Sequence, residues 1–242
     1  MNVWGAEVRP PTVDRALAAW LLHAGLMGGV ERRFFERAIT PGQIVVDVGA
    51  NQGIFTLLFS RLVGRDGRVY ALEPAPALFA ALDDNCRLNG ADNVTRLQVA
   101  AGETRTRGEL HCSRFNSGDN RLTDSLKGPV VPVTVIPLDE ILPTEQVSLV
   151  KIDVQGYERN VVAGMQAVLD RSRAIRVFFE YWPAGLGYAG CAPGELLELF
   201  LVRGFSLFEL SNAGLRRLPG PDVARSMRVA ARSWKNLLAV RE

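Results

Sequence analysis

The chain has 242 residues, of which 48% are hydrophobic and 22% are charged, with 23 glycines and 13 prolines. This composition is typical of a globular protein with a sizeable core, and it excludes disordered and collagen-like chains. A net charge of +2 is too small for an obligate nucleic-acid-binding protein. The longest apolar stretch, residues 16–30, is interrupted by His23 and three glycines and is too short to span a bilayer, so we expect no transmembrane helix.

The N-terminus and the cysteines predict a cytoplasmic protein. Residues 1–10 contain Glu7 and lack the basic, then apolar, order of a signal peptide. The three cysteines, Cys86, Cys112 and Cys191, are odd in number and far apart, which disfavours a disulfide framework. Because only two histidines accompany them, we expect no structural zinc site.

The beginning of the chain predicts a helical cap. Apolar residues at helical spacing predict helices over residues 16–26 and 30–39, and Thr40, Pro41 and Gly42 end the second helix. We therefore expect an N-terminal helical cap over residues 1–40. Residues 41–242 are expected to form a single domain packed with it, because no linker interrupts the pattern that follows.

Strands and helices alternate after residue 42. Short β-branched runs predict strands, and longer stretches with apolar residues three and four apart predict helices. The predicted strands are residues 43–48, 68–72, 94–99, 147–154 and 174–179, and the predicted helices are residues 54–62, 77–88, 158–169 and 195–202. Residues 101–127 are polar and predict an insertion or hairpin region above the core, while Pro132 confines a strand over 130–135 to an edge or irregular position.

The end of the chain predicts antiparallel strands. Residues 205–210 and 215–218 flank four turn-forming residues, which is typical of a hairpin, and residues 236–240 predict a final strand. The last segment, from residue 215, is locally basic, but no aromatic ladder accompanies its charges, so we interpret it as a solvated face. Alternating strands and helices that end in a hairpin predict an α/β fold with a doubly wound sheet and an antiparallel edge.

Two features at the predicted strand ends indicate a nucleoside-containing ligand. In doubly wound sheets, ligands bind beyond the carboxyl ends of the strands, where the strand order reverses. Residues 47–53 form a glycine-bearing turn, in which missing side chains let a ligand approach backbone amides. Glu73 follows the next strand, where a carboxylate accepts hydrogen bonds from both hydroxyls of a ribose. A tight turn with a helix-capping acid is the alternative that needs no ligand.

The glycine pattern favours S-adenosylmethionine over a dinucleotide. A dinucleotide fingerprint requires glycine where this chain has Asn51 and Ile54. S-adenosylmethionine has no phosphate and presents an ammonium and a carboxylate instead. We expect Asp47 to pair with the ammonium and Asn51 to serve as an uncharged hydrogen-bonding partner.

Several blocks of the sequence resemble the FkbM-type S-adenosylmethionine-dependent methyltransferases. The blocks are residues 47–53 with Thr56, then 73–76, 85–89, 100–102, 137–142 and 150–158. They occur in the family's order between about residue 40 and residue 210. The resemblance implies the seven-stranded sheet of class I methyltransferases and O-methylation of a hydroxyl on a natural product, sugar or similar small acceptor.

The resemblance also implies which residues hold the cofactor. Gly49, Asn51 and Gly53 would line its methionine end, Glu73 its ribose, and Ala100 with Ala101 its adenine. Ala50 and Thr56 belong to the same expected set.

One departure from the family pattern is Gln155. The block that usually reads Lys-Ile-Asp-Val-Glu-Gly has Gln155 in place of the glutamate. Glutamine cannot take up a proton, so a glutamate that acts as a base in relatives would have no counterpart here. If that glutamate only holds a loop, Gln155 is a tolerable replacement.

Asp153 and Glu180 are the candidate catalytic carboxylates, because each follows or ends a predicted strand at the cofactor edge. Such a pair holds either a base or a divalent ion, and we assign no metal ligands. We favour Asp153 as general base or acceptor-orienting residue, against the alternative that it caps the turn beside Gly156. His111, in the polar insertion, is the other candidate base, although a lone histidine in a loop is more often a surface residue.

Five residues are candidate contacts of the acceptor. Gln155, Ser117 and Asn120 offer hydrogen bonds, and Tyr181 and Trp182 offer an apolar or sugar-stacking wall. We expect S-adenosylmethionine as cofactor, a small-molecule acceptor, and neither nucleic acid nor membrane as partner. A nicotinamide-dependent oxidoreductase, and a non-catalytic nucleoside-binding protein, are the alternatives.

Overall fold

The computed structural model describes residues 1–9, 29–113, 116–124, 126–219 and 233–241, so the helix predicted over residues 16–26 lies outside the described residues. Strands β1 (Asn2–Val3) and β2 (Ala6–Glu7) pair in a short antiparallel hairpin that the sequence did not predict. Helix α1 (Val30–Ala38) follows. The described part of the expected helical cap therefore contains a hairpin as well as a helix.

Eleven further strands follow α1 in the described part of the chain. They are β3 (Ile44–Val48), β4 (Arg68–Leu72), β5 (Val94–Leu97), β6 (Ala100–Ala101), β7 (Thr106–His111), β8 (Val130–Ile136), β9 (Leu149–Ile152), β10 (Arg176–Tyr181), β11 (Phe205–Ser211), β12 (Gly214–Arg217) and β13 (Lys235–Arg241). Eight of them form the central sheet, in the order β12-β11-β13-β10-β9-β3-β4-β5. The predicted α/β fold with a doubly wound sheet is confirmed, and β12 adds an eighth strand to the expected seven.

The strand directions place the antiparallel pairing at one side of the sheet. Strands β5, β4, β3, β9 and β10 are parallel, whereas β13 is antiparallel to both β10 and β11. The predicted hairpin of β11 and β12 is present. The final strand β13 is inserted between β10 and β11, so a reversed strand lies inside the sheet as well as at its edge.

Seven helices follow α1 within the described residues. They are α2 (Ile54–Val63), α3 (Pro76–Leu88), α4 (Leu138–Ile141), α5 (Glu158–Ala163), α6 (Gln166–Arg171), α7 (Pro183–Tyr188) and α8 (Pro193–Leu201). The single helix predicted over residues 158–169 is two helices, which are separated at Gly164 and Met165. Neither α4 nor α7 was predicted.

Apolar side chains cover both faces of the sheet. Successive residues of a strand face opposite sides, and along β3 Val45 packs with α1 and α2 while Val46 packs with α5 and α6. Both valines are fully buried. This two-sided burial explains why the parallel strands appear in the sequence as continuous apolar runs.

Strand β7 of the polar insertion joins β6 and β8 in a small second sheet. The strand order is β6-β8-β7, so β8 is central in this sheet, whereas the sequence predicts an edge or irregular strand there. Strand β6 pairs only with Val135 and Ile136, however, which leaves β7 as the one neighbour of β8 at Pro132. Pro132 has no N–H to donate, and the fold tolerates this because β8 has no partner strand on its other side at this residue. A 3₁₀ turn (Ser117–Asp119) follows β7.

The topology fixes the place of the site. The chain adds β4 and then β5 on one side of β3, and it adds β9 and then β10 on the other. The strand order therefore reverses between β3 and β9, where a doubly wound sheet opens a crevice at the carboxyl ends of its strands. No helix of the described residues combines the length and apolarity needed to cross a membrane.

Candidate functional site

The turn after β3 is shaped by a close backbone approach. Gly49 has φ = +78°, and a Cβ at this position would lie 2.0 Å from the carbonyl oxygen of Asp153. Only glycine fits there, since a side chain would meet backbone that cannot move aside. The amides of Gly49 and Ala50 donate to the carbonyl of Leu72, at 3.0 and 2.9 Å. The turn is thereby fixed against β4 on one side and against the turn after β9 on the other.

Glu73 holds the same turn from the end of β4. Its two carboxylate oxygens accept hydrogen bonds from the amides of Asn51 and Ala75, each at 2.9 Å. The side chain is 5% exposed, and burial raises its pKa to about 7, although the two amide hydrogen bonds oppose that shift. The carboxylate borders a cavity and keeps lone pairs for further donors.

This cavity, which we call the cofactor slot, runs along the ends of β3, β4 and β6. Its walls include Gly49, Asn51, Leu72, Glu73, Ala100 and Ala101. One buried carboxylate beside apolar side chains suits a ribose followed by a flat apolar base, so these residues fit the nucleoside part of S-adenosylmethionine. Ser117 and Asn120, predicted to contact the acceptor, border the cofactor slot instead.

Asp47 lies behind the turn, where it forms a buried ion pair with Lys151. It is fully buried, accepts a hydrogen bond from the Thr56 hydroxyl at 2.7 Å and lies 3.3 Å from Nζ of Lys151. The expectation that Asp47 pairs with the cofactor's ammonium is corrected by this geometry, because both of its oxygens face protein groups. Thr56 and Gly53 likewise border neither cavity among the described residues.

Lys151 connects Asp47 to the candidate base. It is 3% exposed, and its Nζ lies 3.5 Å from Oδ2 of Asp153. Burial alone would lower the pKa of Lys151, but the carboxylates of Asp47 and Asp153 outweigh it, so the pKa is raised. Lys151 therefore places a positive charge beneath the site. The sequence motif contained it, but nothing in the pattern assigned it this position.

Asp153, Gln155 and Glu180 lie together, as the predicted strand ends imply. The amide nitrogen Nε2 of Gln155 donates to Oδ1 of Asp153 and to Oε2 of Glu180, each at 3.0 Å. Burial, with the nearby charges of Asp153 and Glu158, raises the pKa of Glu180 to about 9. The Asp153 side chain is 42% exposed and so has access to solvent.

Glu158 holds the turn that carries these groups. Its Oε1 accepts hydrogen bonds from the amides of Gly156, at 3.1 Å, and Val154, at 3.4 Å. The side chain is fully buried, which raises its pKa to about 7. Gln155 adopts φ = +53°, a left-handed conformation that is uncommon outside glycine, and these hydrogen bonds on either side of it keep the turn in that shape.

A second cavity, which we call the acceptor cavity, has a volume of about 720 Å³. Its walls include Gln52, Phe55, Phe178, Trp182, Tyr188 and Trp234. Asp153, Gln155 and Arg121 border this cavity and the cofactor slot alike. The two cavities therefore meet beside Asp153, where a methyl donor and an acceptor can approach each other.

Arg121 and Tyr188 are cavity residues that sequence reasoning missed. Arg121 is 8% exposed, and its guanidinium centre lies 5.0 Å from the ring centroid of Trp182, whose other neighbour is Tyr188 at 5.9 Å. A buried arginine beside tryptophan places a positive charge and a flat apolar face on one wall. Its position depends on stacking between distant segments, which no local sequence pattern reports.

Two predicted site residues lie elsewhere. Tyr181 is 1% exposed in the core, so the wall next to Glu180 is formed by Trp182 and not by Tyr181. His111 ends β7, exchanges backbone hydrogen bonds with Arg121 and has its Nδ1 3.7 Å from Oδ1 of Asp124. Because it borders neither cavity among the described residues, His111 is not placed to act as the base. No group of three or more metal-ligating side chains of the acid, histidine or cysteine type occurs within the described ranges.

Comparisons with known proteins place this geometry in a family. The model of the methyltransferase FkbM domain matches residues 47–207. The 31-O-demethyl-FK506 methyltransferase FkbM of Streptomyces tacrolimicus is 30% identical, over 75% of this chain and 77% of that protein. The ribosomal protein L11 methyltransferase of Bacillus cereus is 23% identical, over 58% of this chain and 39% of that protein.

Two solved structures share the fold. A Streptococcus mutans protein in complex with SAH has a TM-score of 0.52 at 10% identity, covering 88% of this chain and 96% of that chain. The O-methyltransferase TomG of Streptomyces achromogenes, in complex with SAM, has a TM-score of 0.50 at 12% identity, covering 97% and 92%. With the family match over two thirds of the sequence, the cofactor is S-adenosylmethionine, and the chain belongs to the FkbM family of methyltransferases.

Proposed function

We propose that this methyltransferase transfers the methyl group of S-adenosylmethionine to a hydroxyl of a small-molecule acceptor. The observation that carries the proposal is the position of Asp153, whose carboxylate borders both the cofactor slot and the acceptor cavity. A 30% identical relative whose name describes O-methylation of a natural product supports the choice of a hydroxyl.

The cofactor contacts follow from the walls of the slot. Glu73 would accept hydrogen bonds from the ribose hydroxyls, Ala100 and Ala101 would pack against the adenine, and Gly49 with Asn51 would line the methionine end, because all of them border the slot. When bound, S-adenosylmethionine supplies an electrophilic methyl group on a sulfonium. The protein has to hold an acceptor oxygen in line with that methyl group, and orientation of this kind supplies most of the rate.

The acceptor's proton needs a destination, and Asp153 is placed to receive it. Lys151 provides a positive charge beneath the carboxylate, and the exposed part of the side chain can later return the proton to solvent. Phe55, Phe178 and Trp182 line the acceptor cavity and provide an apolar surface for the rest of the acceptor. Asp153 thus acts as the general base in this proposal.

Replacing Asp153 by asparagine tests the role of the base. Asp153→Asn retains the shape but cannot take up a proton, so kcat should fall about a hundredfold, while affinity for S-adenosylhomocysteine changes little. Turnover of S-adenosylmethionine with a metabolite extract as acceptor source, and calorimetry with the product, measure the two quantities. Asp124→Asn is the matched control, because Asp124 is 95% exposed and lies by His111, away from the cavities. A fully active Asp153→Asn variant would remove this residue from the role.

Calorimetry with S-adenosylhomocysteine and with NAD tests the ligand class itself. We expect micromolar or tighter binding of the former and none of the latter, because the slot lacks the bare backbone that a pyrophosphate needs. Tight NAD binding with weak S-adenosylhomocysteine binding would contradict the proposed reaction.

A further inference from the structure

The amide of Gln155 joins two carboxylates that come from different strands. Its Nε2 lies 3.0 Å from Oδ1 of Asp153 and 3.0 Å from Oε2 of Glu180. An amide nitrogen carries two hydrogens, so one is available for each carboxylate. The opposite orientation of the amide would place its oxygen against both acids. Gln155 therefore presents a donor at the place where a glutamate would add a third acid.

The charges around the two carboxylates differ. Asp153 has the ammonium of Lys151 at 3.5 Å from its second oxygen. Glu180 is the more deeply placed acid and has Asp153 and Glu158 as its strongest charged neighbours, with Lys151 a weaker influence. From the elements across the acceptor cavity, Glu31, Asp119 and Arg121 are the charged side chains that border the same space. Lys151 thus lies against Asp153, whereas the strongest charged neighbours of Glu180 are acids, so the surroundings favour a neutral Glu180.

We propose that Gln155 holds Asp153 and Glu180 as one unit with a single negative charge, in which Asp153 takes the acceptor's proton and Glu180, as a neutral carboxylic acid, donates a hydrogen bond to a second oxygen of the acceptor. This inference rests on the proposed methyl transfer and adds to it. Burial of Glu180 raises its pKa to about 9, which agrees with the assignment.

The step balances within this unit. The acceptor oxygen forms a bond to the methyl carbon as the carbon–sulfur bond breaks, and the electron pair of that bond stays on sulfur. The hydroxyl proton moves to the Asp153 carboxylate, which becomes a carboxylic acid. The products are a methyl ether, neutral S-adenosylhomocysteine and a protonated Asp153. Asp153 then returns its proton to solvent. The proton of Glu180 stays in place throughout.

The unit selects a class of acceptor. Asp153 and Glu180 both border the acceptor cavity, and in the proposed unit one accepts a hydrogen bond from the acceptor while the other donates one. An acceptor with two neighbouring oxygens matches this arrangement, namely a 1,2-diol, or a hydroxyl beside an ether or carbonyl oxygen. An isolated hydroxyl would leave the Glu180 proton without an acceptor oxygen as its partner.

Carbon-13 NMR of the glutamate carboxyl groups tests the neutral Glu180. The full chain, labelled at these carbons and saturated with S-adenosylhomocysteine, is titrated from about pH 6 to about pH 10, and Glu180→Gln identifies the Glu180 signal. We expect that signal to remain in the protonated position at neutral pH. A Glu180 ionised at pH 7 would overturn the inference. The titration needs no turnover, so its outcome is separate from that of the methyl-transfer assay.

Substitution of Gln155 tests whether the amide couples the two acids. Gln155→Met has similar length without a donor, so the Glu180 midpoint should move upward, because the amide hydrogen stabilises the ionised carboxylate. Gln155→Glu should also move the Glu180 midpoint upward, because it adds a negative charge. This variant takes the place of Gln155→Met in the test if the methionine variant does not fold. A midpoint that stays in place in the folded variants would show that Gln155 only holds the turn, and would overturn its proposed role.

Two probes test the acceptor class and the competing occupant of the unit. With S-adenosylhomocysteine bound, trans-cyclohexane-1,2-diol should shift the Glu180 signal more than cyclohexanol does. Equal shifts, or none from the diol up to its solubility limit, would overturn the two-oxygen class. Magnesium chloride should leave the Glu180 midpoint unchanged. A midpoint lowered by magnesium would show a cation between the carboxylates in place of the proton, and would overturn the inference as well.

Discussion

Glu73 combines two tasks that set its pH behaviour. Its carboxylate accepts hydrogen bonds from the amides of Asn51 and Ala75, and it also borders the cofactor slot. Burial raises its pKa to about 7. Ribose hydroxyls donate to the ionised carboxylate, so cofactor binding favours the ionised form. Affinity for S-adenosylhomocysteine should therefore rise as the pH increases through about 7 and level off above it.

Glu73→Gln should weaken this affinity at pH 8 by about 2 kcal/mol, because a charge-assisted acceptor is lost and the new amide hydrogens face existing donors. Its affinity should also vary little with pH. Calorimetry at several pH values measures both effects. Equal affinity of the two proteins at pH 8 would place the ribose elsewhere.

Two adjacent buried amides should respond to substitution in opposite directions. Gln52 is fully buried, and neither polar atom of its side chain has a hydrogen-bond partner in the described part of the chain. Asn85 is equally buried but donates to the carbonyl of Gln52 at 2.9 Å and accepts from the amide of Arg9 at 2.9 Å.

Gln52→Met should raise the free energy of unfolding by about 1 kcal/mol, since it removes an unsatisfied amide, whereas Asn85→Leu should lower it by about 2 kcal/mol. Urea denaturation of the cofactor-free proteins measures both. A destabilised Gln52→Met variant would contradict the interpretation that this amide is unsatisfied before ligands bind.

At the residue scale, the sequence predicts the groups that motif spacing fixes. Gly49, Glu73 and Asp153 border the cavities as expected, because each follows a strand directly and the strand ends adjoin. Arg121 and Lys151 were missed, since their roles depend on contacts across the fold. Lys151 meets Asp47 from a strand 104 residues away.

Among the elements, the break between α5 and α6 lies at a close backbone contact. A Cβ on Gly164 would lie 1.9 Å from the carbonyl oxygen of Gly102, which directly follows β6 beside the cofactor slot. The apolar spacing of Val161, Val162 and Met165 continues across the break, so the sequence predicts one helix where the structure has two.

Gly164→Ala should lower the free energy of unfolding by about 2 kcal/mol and weaken S-adenosylhomocysteine binding, because the backbone after β6 must move. Gly187→Ala is the matched control. Gly187 lies in α7, and a Cβ there would have open space around it. That variant should be as stable as the parent, or up to about 1 kcal/mol more stable. Thermal unfolding and calorimetry compare them, and similar behaviour of both variants would exclude the steric explanation.

The other missed elements share a reason. Helix α7 contains two glycines and a proline within six residues, and β7 is mostly polar, so neither shows the periodicity of its class. Both are stabilised by tertiary contacts, α7 through buried Leu186 and β7 by pairing along β8. The central strands, which are continuous apolar runs, were predicted to within a few residues of their bounds.

At the scale of the whole molecule, the raised pKa values of three acids among the described residues determine how its stability changes with pH. Burial raises the pKa of Glu73 and Glu158 from 4.5 to about 7 and that of Glu180 to about 9. Above pH 4.5 the unfolded chain releases these protons while the folded protein retains them. Below pH 4.5 these acids therefore make their full contribution to the free energy of unfolding of the cofactor-free protein. That contribution is lost as the pH rises through the pKa values of the folded state.

Glu158→Gln isolates one of these contributions. The difference in free energy of unfolding, parent minus variant, should be about 2 kcal/mol lower at pH 8 than at pH 5.5. The reason is that only the parent has to bury a charge at the higher pH. Urea denaturation at the two pH values gives the difference. A difference of the opposite sign would show that Glu158 is stabilised as a carboxylate.

The contact between Gly49 and the carbonyl of Asp153 limits how this enzyme can be re-engineered. Any mutation that displaces the loop after β3 should also shift Asp153, the proposed base, so reshaping that loop for donor analogues with enlarged sulfonium substituents should reduce the rate. Laboratory evolution toward new acceptors should instead target the aromatic wall of Trp182, Tyr188 and Trp234, which is separate from that contact. Libraries built on this wall should retain more active clones than libraries of equal size built on the loop.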